Sequence, residues 1–529
     1  EFLQGQGNAR TIRSEVIPAH RGMISDRNGE PLAVSTPVAS IWANPRELGK
    51  QKDAWPKLAR ALSMSVAELS RKMERYSNSQ FMSLRRHLAP QDAKAILALK
   101  VPGVYLQREY RRFYPAGEVT AHLLGFTNID DRGQEGLELA YDEWLNGEPG
   151  RKRVLKDLYG NIIREIDAGK EASPGKSLQL SIDLRLQYLA YRELKAALKR
   201  TGAKAGSVVI LDSKSGEVLA MVNQPSYNPN NRSQLNPSAL RNRAVIDMFE
   251  PGSTVKPMTL VAALESGRYQ PDTEINTHPG YIKVGPKLLE DHRNYGVLTV
   301  AEVLKKSSQV GTTKIALSLD EQEVWRVFQR FGFGRDTGSG FPGESSGVLP
   351  NRPNWRAIER ATLSFGYGMT VTNLQLAQAY SVFANHGVFQ PVSMLKRQEP
   401  AEHRQVIAPK VARQVVDMLE LVTQPGGTAT RARVAAYRVG GKTGTSHKAV
   451  AGGYAEDRYF SLFAGVAPAS DPRIVAVVTI DEPEGDYFGG LVAAPVFSSV
   501  VADALRLMNI APDDVEPEAE GEDRGDAAA

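Results

Sequence analysis

The sequence contains no cysteine, which excludes disulfides, thiolate metal sites and a cysteine nucleophile. Its eight histidines show no H-E-x-x-H or other ligand spacing, so neither a metal nor another cofactor is expected. No apolar run reaches the length of a membrane span. Zinc-finger spacing, a recognition-helix pattern and aromatic–basic RNA motifs are all missing, which argues against nucleic acid despite a net charge of +5. That charge is uneven. From Pro512 onward eight acids face one base, Arg524, so the tail is seven negative and residues 1–511 carry +12. The tail has little to bury and is expected to be disordered. The chain opens Glu1-Phe2-Leu3-Gln4 instead of with Met, so a signal or anchor upstream is expected to have been removed.

What is present is a chain of 529 residues, 42% hydrophobic and 24% charged: a soluble globular composition, too long for one domain. Residues 1–175 read as a mixed α+β module. Arg21 to Gly29 reads as a strand entering an Asn-Gly turn, with Pro31–Val34 returning. Helical stretches follow at 53–76 and 90–99. The segment Arg108–Phe113 is basic and aromatic; a solvated strand edge with snorkelling arginines is the simpler reading, a docking surface the other. The pattern changes near Pro174-Gly175. A strand at Leu178–Ile182 and a long amphipathic helix at Leu184–Lys199 precede the hairpin Ser207–Leu211/Val218–Val222. A largely helical middle over 254–385 leads to three strands at Val439–Thr445, Phe460–Val466 and Ile474–Ile480, and a closing helix over 494–508. Two early and three late strands suggest one sheet flanked by helices, with residues 176–511 as one domain and 512–529 as the tail.

A serine attacks an amide only if something takes its proton. Without cysteine or a Ser-His-Asp arrangement, lysine is the next candidate base, and Ser-x-x-Lys on a helix puts both side chains on one face. Three copies occur. Ser173 to Lys176 crosses a Pro-Gly turn. Ser393 to Lys396 lies in an expected strand, where residues three apart face opposite sides. Ser253 to Lys256 follows the break at Pro251-Gly252 and precedes Pro257, which the first turn of a helix accommodates. Ser253 is therefore expected at a helix N-terminus, where the macrodipole disfavours a protonated lysine and stabilises negative charge on an attacked carbonyl. A helix cap beside a surface lysine remains open from this segment alone. A second signal is Lys442-Thr443-Gly444-Thr445 in an expected strand, a cation and hydroxyls able to hold a peptide carboxylate. Lys214-Ser215-Gly216, in a hairpin turn, is turn chemistry.

Together, Glu250 to Pro257 and Gly441 to Thr445 resemble the penicillin-binding proteins and serine β-lactamases. Arg21-Gly22 through Gly29, Arg111-Arg112-Phe113-Tyr114-Pro115 and Gly133 to Glu138 resemble the non-catalytic front module of the class B penicillin-binding proteins. Lys306-Ser307-Ser308-Gln309-Val310-Gly311 is similar to the middle motif of the cell-division (penicillin-binding protein 3) branch of that class. The resemblance implies an α+β fold: a transpeptidase domain with a central antiparallel sheet flanked by helices, behind a mixed α+β module. It implies a peptidoglycan D,D-transpeptidase of septal wall synthesis, inhibited by β-lactams, with stem peptides as substrate. Ser253 would be acylated, Lys256 its base, and Ser307 a proton shuttle. Lys442, Thr443, Gly444 and Thr445 would anchor the carboxylate, and the N–H groups of Ser253 and Thr445 would form the oxyanion hole. Repulsion between Lys256 and Lys442 would help keep Lys256 neutral. Tyr459, Tyr487 and Phe488 would wall the pocket, although ordinary strand and loop aromatics would read the same. The module would contact a membrane-embedded glycan polymerase and division-complex proteins, with one N-terminal anchor in the inner membrane and the catalytic domain in the periplasm.

One residue departs from the pattern: the family's Ser-x-Asn has Gln309 in third place. The literal match Ser226-Tyr227-Asn228 precedes the nucleophile, out of order. Thr299 to Glu302 reads as a capping box opening a helix that stops near Ser307, leaving the motif between two helices. Gln309 keeps open a catalytically weakened β-lactam-binding scaffold. A β-lactamase would need a deacylating glutamate, which is not evident, and a D,D-carboxypeptidase fits the front module poorly.

Overall fold

A computed structural model describes residues 11–156 and 162–515. Near its start, Asp26 shapes the Asn28-Gly29 turn. Its Oδ1 accepts from the N–H groups of Asn28 at 2.8 Å and Glu30 at 2.9 Å, and Gly29 takes φ +88°, which a Cβ disfavours. The chain returns as the strand Pro31–Ala43, well beyond the expected Val34. It pairs antiparallel with Val104–Phe113 along that strand's 10 residues and with Met82–Leu88. The helical stretch expected at 53–76 is two helices, Trp55–Ala61 and Val66–Arg75. Ser63 turns left-handed at φ +53°, and Ser65 caps the second helix, accepting from Glu68 N–H at 3.1 Å. These helices and Pro90–Leu97 enclose a small apolar core around Ile41, Leu48, Leu58, Leu69 and Ile96.

The three segments that carried the front-module resemblance meet in one buried cluster. Glu138 is fully buried. Its carboxylate accepts from Arg112 Nε and Nη2, both at 2.9 Å, from Tyr114 Oη at 2.8 Å and from Arg21 Nε at 3.4 Å. Arg112 Nη2 also donates to Gly22 O at 2.6 Å, and Arg21 Nη1 to Asp142 at 2.7 Å. Arg112, expected among exposed strand-edge arginines, is therefore an internal cation, its charge compensated where water is absent. Arg111 does reach outward, donating to Asn230 O at 3.2 Å.

In the second region β1 (Ala205–Asp212), β2 (Val218–Gln224), β3 (Gly440–Val450), β4 (Gly453–Ala467) and β5 (Ile474–Asp481) form one antiparallel sheet in the order β2-β1-β5-β4-β3. Early strands thus pair directly with late ones, Val209 opposite Val477. β1, β2 and β5 are almost continuous buried apolar runs, as strands covered on both faces require. Around the sheet lie α1 (Leu184–Thr201), α2 (Lys256–Glu265), α3 (Val300–Lys306), α4 (Gln309–Ser318), α5 (Asn373–Ala384), α6 (Pro409–Thr423) and α7 (Ala494–Leu507). α1 and α7 pack together over one face. α5, buried at all 12 positions, covers the other against β1, β4 and β5, and its buried Gln378 amide donates to Thr337 O and Gln390 O, both at 3.0 Å. One core runs through this region into the front of the chain, taking in Ile24, Leu32, Tyr114, Leu123 and Leu137 beside Ile182, Leu186 and Val218.

Three further expectations need correction. The stretch 254–385 is not simply helical: two small hairpins, Glu274–Asn276 with Val297–Thr299 and Tyr281–Val284 with Lys287–Glu290, sit between α2 and α3. The strand expected at Leu178–Ile182 is only Leu178–Gln179, because Ile24–Ser25 offers it just two partners. The start of the acidic tail is held in place: Asp513 accepts from Arg438 N–H at 2.7 Å and Ser470 Oγ at 2.6 Å. Residues 516–529 lie outside the described residues. Among the described residues no helix is long and apolar enough to cross a membrane.

Candidate active site

Of the three Ser-x-x-Lys copies, only one meets other chemistry-bearing groups. Ser173 pairs by its backbone with Glu148, and Lys176 lies over the Trp144 ring at 4.5 Å. Ser393 bridges to Glu217, and Lys396 donates to Arg27 O at 3.1 Å. Ser226 and Tyr227 bond backbone carbonyls of Glu118 and Ala121 in the front module. Ser253 instead stands in the tight turn Gly252–Val255 that opens directly into α2. Gly252 makes the turn at φ +55°, and Tyr380 Oη, rising from α5, clamps it by donating to Thr254 O at 2.6 Å.

Three side chains converge on one oxygen, Ser307 Oγ. Ser307 Oγ lies 3.2 Å from Ser253 Oγ, 3.0 Å from Lys256 Nζ and 3.0 Å from Lys442 Nζ. Lys256 Nζ also donates to Ser307 O at 2.8 Å, so its link to Ser253 runs through Ser307 and not by a direct bond. Ser307 is the C-cap of α3, with φ +57° in the left-handed region. The helix starts where the capping pair predicts, Thr299 Oγ1 accepting from Glu302 N–H at 3.1 Å. Ser308 follows as N-cap of α4, accepting from Gly311 N–H at 2.9 Å. The junction between the two helices is therefore Ser307-Ser308, and Gln309 is already the first residue of α4. No hydrogen bond joins the Gln309 amide to another described residue.

Both lysines are buried, 1% and 0% exposed. Burial pushes the Lys256 amine down to about 7, against the pull of the nearby Asp291 carboxylate. Burial also pushes Lys442 well below its usual range, and there the repulsion from Lys256 adds to it. The repulsion expected to act on Lys256 thus falls mainly on Lys442; removal from water is what lowers Lys256.

β3 carries Lys442 to Thr445 on the outer edge of the sheet. Lys442 Nζ donates to Thr443 O at 3.1 Å. Gly444 is needed for packing: a Cβ there would come within 2.9 Å of Thr254 Cγ2 and 3.1 Å of Pro251 O, in the nucleophile turn itself. Thr445 Oγ1 accepts from Gly489 N–H at 2.9 Å, which leaves its hydroxyl proton free to donate. Tyr459 and Tyr487 stack at 3.8 Å with rings 8° apart, and Phe488 continues the row at 4.6 Å from Tyr487. Phe488 is 44% exposed, an apolar ledge open to solvent.

Several groups at the site carried no sequence signal of their own. Thr428 Oγ1 lies 3.3 Å from Thr443 Oγ1, adding a hydroxyl beside Lys442. His447 packs on Tyr459 at 4.7 Å and His292 on Phe488 at 6.2 Å. Asp291 accepts from Ser308 Oγ at 2.6 Å. Glu250, three residues before the nucleophile, accepts from Tyr454 Oη at 2.9 Å.

Comparison with known proteins gives matches along almost the whole chain. The penicillin binding protein transpeptidase domain matches residues 206–502, and the penicillin-binding protein dimerisation domain residues 16–180. A probable peptidoglycan D,D-transpeptidase, PbpC of Pseudomonas aeruginosa, is 45% identical over 98% of this chain and 92% of its own length. The peptidoglycan D,D-transpeptidase FtsI of Escherichia coli is 44% identical over 97% of this chain and 88% of its own. Penicillin-binding protein 3 of Mycobacterium tuberculosis, solved with aztreonam, superposes with a TM-score of 0.74 at 27% identity, covering 94% of this chain and 98% of its own.

Proposed function

The chain belongs to the class B penicillin-binding transpeptidases, closely related to their division-type members, and from that premise we propose that its peptidoglycan D,D-transpeptidase activity runs through an acyl-enzyme on Ser253. The observation that carries this is the convergence of Ser253, Lys256 and Lys442 on Ser307 Oγ, all within 3.2 Å. Near neutral pH much of Lys256 is the free amine and can accept a proton. Hydroxyl protons rotate, so Ser253 can pass its proton through Ser307 to Lys256 as its Oγ bonds the acyl carbonyl of a donor stem peptide. The N–H groups of Ser253 and Thr445 stabilise the oxyanion. As the C–N bond breaks, the proton returns through Ser307 to the leaving amine. An amine of a second stem peptide then attacks the ester, forming the crosslink and restoring Ser253.

The edge of β3 takes the donor peptide as an added strand. Lys442, Thr443 and Thr445 hold its carboxylate, or that of a β-lactam. Tyr459, Tyr487 and Phe488 pack along its other side. Residues 1–175 serve as a platform for a membrane-embedded glycan polymerase and division proteins, and peptidoglycan as substrate puts the catalytic domain outside the inner membrane, tethered to it. Intact-mass measurement after incubation with a penicillin tests the assignment. A stable single adduct that Ser253→Ala abolishes is the expected result. An adduct mapped to Ser173 or Ser393 overturns it, and turnover of the penicillin replaces it with a hydrolytic enzyme.

A further inference from the structure

Lys442, Gly444 and Ser446 alternate onto one face of β3. Lys442 reaches Ser307, Gly444 closes on the Ser253 turn, and Ser446 Oγ donates to Glu250 O at 3.2 Å. Glu250 therefore lies on the nucleophile's face, level with the part of β3 just beyond Thr445. Its half-buried carboxylate accepts from Tyr454 Oη, 2.9 Å from each oxygen, and from Gly368 N–H at 3.3 Å. Tyr367 meets the Tyr454 ring edge-on at 6.2 Å. Tyr454 is 50% exposed, so the cluster is open to solvent.

No cation pairs with Glu250 among the described residues. Lys448 and Arg458, on the same hairpin as Tyr454, are taken by other acids. Lys448 Nζ lies 2.7 Å from Asp481 and 3.1 Å from Glu482, and Arg458 Nη1 3.8 Å from Glu482. Burial pushes the Glu250 carboxyl up, and its two neutral donors offset only part of that. A positive charge is what this carboxylate lacks. The path of the donor peptide can supply one. With its carboxylate at Lys442 and Thr443 and its acyl carbonyl at Ser253 and Thr445 N–H, the donor runs antiparallel to β3. Its preceding residues then pass Ser446, at about 3.4 Å each. The residue before the acylated one comes beside Glu250, within reach of a long side chain. An ammonium there meets a carboxylate and two tyrosine rings, whose faces attract cations.

We propose that Glu250 is a specificity-determining residue for the donor strand, its carboxylate taking a free ammonium on the side chain of the residue that precedes the acylated one. The donor so selected is a stem peptide with a diamino acid at that position, its far amine unmodified. This rests on the Ser253 reading above and on the strand direction that Lys442 sets. The test uses two penicillins with the same linear acyl side chain, one ending in a free amine and the other in its acetamide. The side chain of the β-lactam takes the place of that preceding residue. Intact mass gives the second-order acylation rate for each. The parent should prefer the amine about tenfold, the worth of one hydrogen bond to a charged group. Glu250→Gln keeps the shape and an acceptor but loses the charge, and should abolish the preference. Because the readout is a ratio, any loss that a disturbed Ser253 turn imposes on both compounds cancels. Equal rates in the parent, or an unchanged ratio in Glu250→Gln, overturn the proposal. Should that variant not fold, Glu250→Asp, which draws the charge back by one methylene, must lower the ratio, and an unchanged ratio overturns the proposal instead. Weaker capture of the acyl-enzyme by an added D-amino acid, with the penicillin ratio unmoved, assigns Glu250 to the incoming amine and overturns it too. An adduct away from Ser253 removes the functional reading and this inference with it, whereas an adduct at Ser253 without the preference removes only this inference.

Discussion

Replacing Glu138 with alanine should strongly destabilise the chain. The carboxylate is fully buried and accepts two short bonds from Arg112 and one from Tyr114. Without it Arg112, 5% exposed, keeps only the neutral acceptors Gly22 O and Ser35 Oγ. Arg21 suffers less, because Asp142 still accepts from it at 2.7 Å. Breaking a buried pair by removing one partner costs about 3–5 kcal/mol, chiefly the uncompensated charge left behind. In a chain of this size that is a fall in Tm of about 3–5 °C. Calorimetry measures it, with Glu148→Ala as control. Glu148 pairs with Lys170 where both are more than 60% exposed, so its loss should leave the melt in place. Equal melts for parent and Glu138→Ala would refute the reasoning, because Arg112 would then have found solvent or another anion. Glu138→Gln, which retains one acceptor, should fall between the two.

Three further predictions follow from the site. Acylation should rise with pH through about 7, as Lys256 loses its proton, and Lys256→Arg, which cannot deprotonate, should lose at least about a hundredfold in acylation rate; a pH-independent parent rate would refute the assignment of the base. Gln309→Asn should leave the melt unchanged, since that amide bonds no other described residue, yet speed acylation by some β-lactams. A misplacement of ~1 Å costs roughly a hundredfold, and unchanged rates across several penicillins and cephalosporins would show that the longer amide already reaches its place. Thr428→Val should weaken acylation by carboxylate-bearing β-lactams by up to about tenfold, the worth of one hydrogen bond, while sparing the melt.

Local grammar made much of the site readable. Pro251-Gly252 and Pro257 bracket the Ser253 turn, Thr299 and Glu302 open α3, and the pattern around Lys442 is a strand. What the sequence hid was set by distant partners. Arg112 looks like a strand-edge arginine until Glu138, 26 residues on, is placed beside it. Asp291 carries no motif, and the hairpins that aim it are strands of three and four residues, too short to show a period. The helix expected over 53–76 breaks at Ser63 because Ser65 caps a new start. Two like charges in the sequence suggest repulsion as a contribution to a neutral Lys256, but the largest cause, exclusion of water, depends on a burial that no motif shows.

The apolar core that crosses from the catalytic sheet into the front module decides where this molecule can bend. Ile24, Leu32 and Leu137 are packed with Ile182 and Leu186 as one solid, so the Arg21–Glu138 cluster and the Ser253 turn travel together as a single lever arm. The smaller core around Leu58 and Leu69 is separate, joined to the rest mainly through the long ribbon Pro31–Ala43 and its partner Val104–Phe113. A pull on that outer lobe would flex the ribbon before it disturbed the active site, so the outer lobe acts as a compliant handle on a stiff tool.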